Sequence, residues 1–283
     1  MPQFLKLLSE SPELKRVAPL IAKEALPCVR LFAKPARDRA IKNGASKLGG
    51  LPDLPDASEW PCRDEAPLSF LAQINVTALP KFAGWEELPP DTLLSFFYDA
   101  QNLPFGFDSN DKSSWCVLAS PISSAAPLKR RRRPKGLADE GVFTPCVLFA
   151  TLEESLPDPF SRIIKMLKLT KGEQDAYFHI FEDHRDGRPH HKLLGHAEPW
   201  QGDMQLDCQL VSNGLSVGAP DWHAGPRRDA LEPGVSDWRL LLQVDTDDNA
   251  GMQWGDLGSL YYWIKGSSLE SRSFEDAWLF LQY

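Results

Sequence analysis

The sequence predicts an α+β protein: two related β-rich halves, mostly antiparallel sheets with flanking helices, related by a pseudo-twofold and preceded by an N-terminal helical segment. Three observations carry that expectation. Phe70-Leu71-Ala72-Gln73-Ile74-Asn75 and Leu240-Leu241-Leu242-Gln243-Val244-Asp245 are two versions of one phrase. Each is followed by a second apolar-aromatic run, Leu93-Leu94-Ser95-Phe96-Phe97-Tyr98 in one case and Leu260-Tyr261-Tyr262-Trp263-Ile264 in the other. A strand pair used twice reads as one supersecondary unit duplicated around a shared core. The 42% hydrophobic content, with nine Trp and fifteen Phe, supplies enough apolar area for a core in a chain of 283 residues.

The elements follow in order. Residues 1–43 read as an N-terminal helical extension. Ser11-Pro12-Glu13-Leu14 combines an N-cap serine with a proline at the first helical position. Leu14, Val17, Ala18, Ile21 and Ala22 then form one apolar stripe. Pro27 ends it, and a further helical segment is expected over 28–42. The remainder, 44–283, reads as the main domain, its first half about 44–151 and its second half about 152–283. Gly49-Gly50 and four prolines make 44–67 a structured loop that lacks the spacing of a phosphate cradle. Strands are expected over about 68–76, 93–98, 115–122 and 142–151, and a helix over 159–170. Residues 173–182 are ambiguous. Residues 192–214 and 220–237 read as loops, 238–265 as the second strand unit, and 268–280 as a short helix with an edge strand.

Composition bounds the function. The basic run Lys129-Arg130-Arg131-Arg132-Arg133-Pro134-Lys135 stands out; without its six positive charges the formal net charge of −8 becomes −14. So acidic a body argues against nucleic acid as the main partner and suits a basic protein. The run itself reads as a solvated, mobile loop. Five scattered cysteines with no C-x-x-C pair fit a reducing compartment, so a cytoplasmic location is expected. No stretch has the length and apolarity of a membrane span, and the first residues lack the pattern of a secretory leader.

Three stretches of the sequence carry a family resemblance. Gly49-Gly50-Leu51-Pro52-Asp53-Leu54-Pro55, Trp60-Pro61 and Pro67 to Asn75 resemble the opening of the YwqG-like family of bacterial domains of unknown function. Lys192-Leu193-Leu194-Gly195-His196 with Gln201-Gly202-Asp203 is similar to its middle signature. Leu241 to Asp245 and Trp254-Gly255-Asp256-Leu257-Gly258 are similar to its C-terminal one. The resemblance covers about 44–283. It implies an α+β fold of two related β-rich halves and no established enzymatic activity. Family members resemble components of toxin–immunity neighbourhoods, which implies an immunity role.

The candidate groove therefore comprises Trp60, Gln73, Asn75, His196, Gln201, Asp203, Gln243, Asp245, Trp254 and Asp256. Gln73 and Gln243 interrupt apolar strands, and a buried amide needs partners. Asp245-Thr246-Asp247-Asp248-Asn249 lacks the spacing of a calcium loop. His179, His184, His190, His191 and His196 cluster in sequence without a zinc-binding spacing, and His190-His191 are expected to be exposed. No catalytic motif such as G-x-S-x-G occurs. The expectation is a protein-binding protein with no catalytic residue, metal or cofactor, possible partners including a basic toxin. The alternative is a metal-dependent or small-molecule enzyme using His196, Asp203, Asp245 and Asp256 in a cleft between the halves.

Overall fold

The computed structural model describes residues 3–82, 87–123, 126–185, 187–219 and 222–283. Its first strands are β1 (Leu26–Pro35), β2 (Lys47–Leu48), β3 (Asp53–Leu54), β4 (Cys62–Arg63) and β5 (Ala66–Pro67). β6 (Ser69–Asn75), β7 (Thr92–Tyr98), β8 (Trp115–Pro121), β9 (Lys129–Arg130) and β10 (Cys146–Ser155) follow. The last are β11 (Lys192–Leu193), β12 (Trp238–Asp245), β13 (Ser259–Lys265) and β14 (Trp278–Gln282). Ten of them form one antiparallel sheet in the order β14-β13-β12-β11-β1-β10-β2-β6-β7-β8. β3–β9 and β4–β5 are separate two-stranded ladders.

The sheet curls nearly closed, so that its two ends meet. Trp115 of β8 packs edge-on against Trp278 of β14 at 5.0 Å, and its indole donates to Ala277 O at 2.8 Å. Across the interior, Phe96 of β7 stands 5.1 Å from Tyr262 of β13, whose hydroxyl donates to Phe97 O. β8 and β14 remain the terminal strands of the ladder, but the Trp115–Trp278 contact brings together the two edges that an open sheet of ten strands would present. β6, β7 and β13 are apolar on both faces because one face lines the curled interior and the other is covered by loops and short helices.

This architecture corrects the predicted fold class. There are not two β-rich halves related by a pseudo-twofold; one continuous sheet holds both Gln-bearing strand units, one in each wing. Nothing divides the sheet near residue 151, which lies inside β10. The segment expected as a helix over 28–42 is mostly β1, the sheet's central strand, paired along all ten of its residues with β10. The physical reason is that Cys28-Val29-Arg30-Leu31-Phe32 is short and apolar, and periodicity cannot separate a buried strand from a helix at that length. Pairing with β10, more than a hundred residues away, decides it.

The helices are few and short. α1 (Gln3–Glu10) and α2 (Ala18–Lys23) pack with α3 (Arg162–Met166) and α4 (Lys171–His184) around Leu14, Ile21, Ile164, Tyr177 and Phe181, a second core beside the sheet. α4 settles the ambiguous 173–182. Thr170 and Glu173 form a capping box, the Thr170 amide donating to Glu173 Oε2 at 2.8 Å. Arg16 fastens the N-terminal segment to the same carboxylate, its Nε donating to Glu173 Oε1 at 2.8 Å. α5 (Gln205–Val211), α6 (Pro226–Leu231) and α7 (Gly266–Glu270) complete the fold. Among the described residues no helix is long and apolar enough to cross a membrane.

Candidate binding cavity

The two strand glutamines are structural. Gln73 is wholly buried; its Oε1 accepts from Asp53 N at 2.9 Å, and its Nε2 donates to Ala45 O and to Asp53 Oδ2. Gln243 Oε1 accepts from Glu198 N at 3.0 Å. Each glutamine stands opposite a buried lysine on a two-residue strand, Lys47 for Gln73 and Lys192 for Gln243. Each lysine ammonium meets carboxylate. Lys47 pairs with Asp38 at 3.1 Å, and Lys192 with the buried Glu198. Burial alone would push the Glu198 carboxyl up, but Lys192 and His190 outweigh it and hold the group well below the usual carboxylate range. Both glutamines are buried within these networks, and neither lines the cavities described below.

The arginine run is not wholly a free loop: Arg130 belongs to the first network and three neighbours hold acceptors, while Lys129, Arg132, Arg133 and Lys135 stay exposed. Arg130 Nε donates to Asp53 Oδ1 at 2.6 Å, and its other nitrogens reach Asp38 and Ile41 O. Arg131 holds Pro55 O and Ser58 O at 3.1 and 3.0 Å, Lys129 pairs with Asp56, and Arg133 with Asp139. His190 and His191 are likewise buried, against expectation. His191 Nδ1 accepts from Asp245 N, so its Nε2 donates to Asp247.

A cavity of about 920 Å³ opens where the turn after β11 faces α3, the start of α5, the segment around α6, and strands β12 and β13. Trp238, Leu240 and Trp263 form its apolar wall on the sheet, with Ile163 and Met166 opposite. Leu194 and Gly195 both take left-handed backbone, φ 60 and 73, and this turn delivers His196 to the rim. Only glycine fits at 195: a Cβ there would stand 2.4 Å from Ser155 Oγ and 2.6 Å from Cys28 Cβ. His196 N donates to Ser155 Oγ, and its ring Nε2 lies 2.6 Å from Glu24 O. Burial pushes its pKa down to about 4. The neutral ring therefore donates from Nε2 and keeps Nδ1 as an acceptor.

The polar groups of the cavity are mostly acceptors. Arg162 and Arg239 are its cations, and both are spent on Glu232 at 3.2 Å and Glu87 at 2.9 Å. Asp203 makes no ion pair among the described residues; its Oδ2 accepts from Arg162 N at 3.0 Å, and burial raises its pKa. Asp207, one turn along α5, is pushed up to about 7 by burial and by the Asp203 charge. Of the described residues that line this cavity, Gln205 and Trp263 each carry a buried polar atom with no partner, Gln205 Oε1 and Trp263 Nε1, the latter on a side chain only 2% exposed. An unpaired polar atom at such depth costs about 1–3 kcal/mol.

The family model of a domain of unknown function (DUF1963) matches residues 46–282. The chain belongs to that family. No curated protein matches it. The DUF1963 match contains every strand of the large sheet except β1, although β1 lies at its centre.

The DUF1963 structure gathers only part of the predicted groove. His196 and Asp203 line the large cavity. Asp245 lies beside a separate cavity of about 510 Å³, where its carboxylate accepts from His190 N and Ser259 Oγ. Asn75 lines a third and donates to Gly44 O. Trp60 donates to Leu68 O, Gln201 to Tyr283 O, and Trp254 is buried against Tyr98 and Phe143. Asp256 is exposed in a turn. Thus His196, Asp203, Asp245 and Asp256 do not converge, and among the described residues no three His, Cys, Asp or Glu side chains group as a metal site. The residues that sequence reasoning missed, Gln205, Trp238 and Trp263, come from α5, β12 and β13, and only the fold brings them together.

Proposed function

We propose that this DUF1963 protein is a non-catalytic, YwqG-like protein-binding protein of the cytoplasm, and that a basic, partly apolar segment of its partner enters the 920 Å³ cavity. One observation carries the reading: a large, aromatic-walled cavity whose cations are already paired and whose Asp203 is not. Aromatic walls supply desolvated anchoring area, and acidic groups speed encounter with a basic partner. The net charge of −8 favours the same class of partner. Because four cations of the arginine run have intramolecular acceptors, the run adds little free positive surface for nucleic acid.

A cognate basic toxin is the partner we propose, with occlusion of the toxin as the outcome. The test is co-expression with the product of the adjacent gene, using wild-type protein and Asp229→Lys, which reverses a charge on the cavity wall. Protection of the cells and a stable complex, both weakened by Asp229→Lys, are expected. Absence of both in the wild type would remove the immunity reading.

A further inference from the structure

The unpaired atoms of the cavity specify more than positive charge. Asp203 and Gln205 are two residues apart at the entry to α5, and both line the cavity. They offer a carboxylate and an amide oxygen, Gln205 Oε1, which has no donor. His196 adds Nδ1 as a third acceptor, since Nε2 is committed to Glu24 O. Three acceptors of different kinds suit a head group with several donors spread in a plane. A guanidinium has five N–H donors in a rigid fork, is weakly hydrated and stacks on aromatic faces; an ammonium is a strongly hydrated point charge. The apolar wall of Trp238, Leu240 and Trp263 suits the first and penalises the second.

Trp263 Nε1 asks for the opposite chemistry. It is a donor, nearly inaccessible to solvent, and has no acceptor. A guanidinium carries none, but a peptide carbonyl does. We propose, on the footing of the binding function above, that the segment taken up by the cavity presents an arginine, its guanidinium meeting Asp203 and Gln205 while a backbone carbonyl of the same peptide accepts from Trp263 Nε1. Asp203 then gains the counter-charge it lacks, and the two orphaned atoms gain partners.

Calorimetric titration of the purified full chain with acetyl-Ala-Leu-Arg-Leu-Ala-amide, and with the same peptide carrying lysine or citrulline in place of arginine, tests this. The arginine peptide is expected to bind at least about tenfold more tightly than either. Citrulline keeps the shape and loses the charge; lysine keeps the charge and loses the fork. Gln205→Leu, which removes an unpaired acceptor, should leave the fold intact and erase most of the preference for arginine over lysine. Asp203→Asn should weaken the arginine peptide about tenfold or more while hardly changing the citrulline peptide. Equal affinity for the arginine and lysine peptides would overturn the inference and leave the protein-binding reading standing. Ethylguanidinium binding as tightly as the arginine peptide would overturn the peptide part, because the carbonyl would then contribute nothing. No binding of any peptide would overturn both.

Discussion

Gln73 shows how much can rest on one side chain. Three of its hydrogen bonds hold the 45–53 loop against β6, and all lie in the protein interior. Gln73→Leu keeps the size and deletes the bonds, leaving Asp53 N–H and Ala45 O stranded. The expected loss is about 1–3 kcal/mol, read as a lower urea midpoint with unchanged slope; an unchanged midpoint would show that water or relaxation replaces the amide. That a glutamine inside an apolar strand braces the neighbouring backbone is legible from sequence. Its lysine neighbour is not, because Lys47 reaches Gln73 only through pairing of β2 with β6. Asp207 gives a prediction with a definite sign. Its folded pKa is about 7 through burial and the nearby Asp203 charge, whereas an unfolded aspartate titrates near 3.9. Between those values the folded state binds the extra proton, so this group makes stability fall as pH rises from about 4 to about 7. Asp207→Asn should abolish that fall and be more stable than wild type by about 1–3 kcal/mol at pH 8. Thermal melts at pH 5 and pH 8 check it, and a variant with the wild-type pH profile would contradict the burial assigned to Asp207.

The turn that follows β11 is the element on which the cavity depends. β11 has only two residues, held between β1 and β12, and the chain leaves it through two successive left-handed residues. Gly195→Ala puts a methyl group into Ser155 and Cys28 at a φ of 73. A cost of about 1–3 kcal/mol is expected from the strained backbone, with more from the clash. His196 should also be displaced from Glu24, so peptide binding should weaken beyond the loss of stability; a variant with wild-type melting would contradict the close approach. Legibility varied by element. Thr170 and Glu173 form the capping box that starts α4, a spacing that the reading of 173–182 as ambiguous passed over. The strands near 69–75, 92–98, 238–245 and 259–265 were legible from their β-branched and aromatic runs. β1 was not, because its sequence is too short to choose and its partner is far away. The arginine run misled for another reason: like charges read as solvated unless the carboxylates and carbonyls that hold them, here on Asp38, Asp53, Asp56 and Pro55, are already known to be adjacent.

On the scale of the whole molecule, one curled sheet replaces the expected pair of halves, and its stability is shared between distant parts of the chain. Removing residues 1–35 takes away β1 and leaves β10 paired only with β2 and β11 only with β12. That truncation should lose cooperative unfolding and near-ultraviolet dichroism although it spares the whole family-matched region; a truncated chain with a native melt would show that the sheet can close without its central strand. The same scale explains what the sequence concealed about the cavity. His196 and Asp203 stood out because they lie in one signature segment, whereas Gln205 and Trp263 acquire meaning only when the fold brings both to one cavity. The direct test of the binding account is the indole Nε1–H resonance of Trp263 in an ¹⁵N-correlated spectrum, assigned as the signal lost in Trp263→Phe, recorded while the arginine peptide is added. A saturable downfield shift of that signal, absent with the citrulline peptide at the same concentration, is predicted; a spectrum in which Trp263 stays still while the exposed Trp200 responds would contradict it.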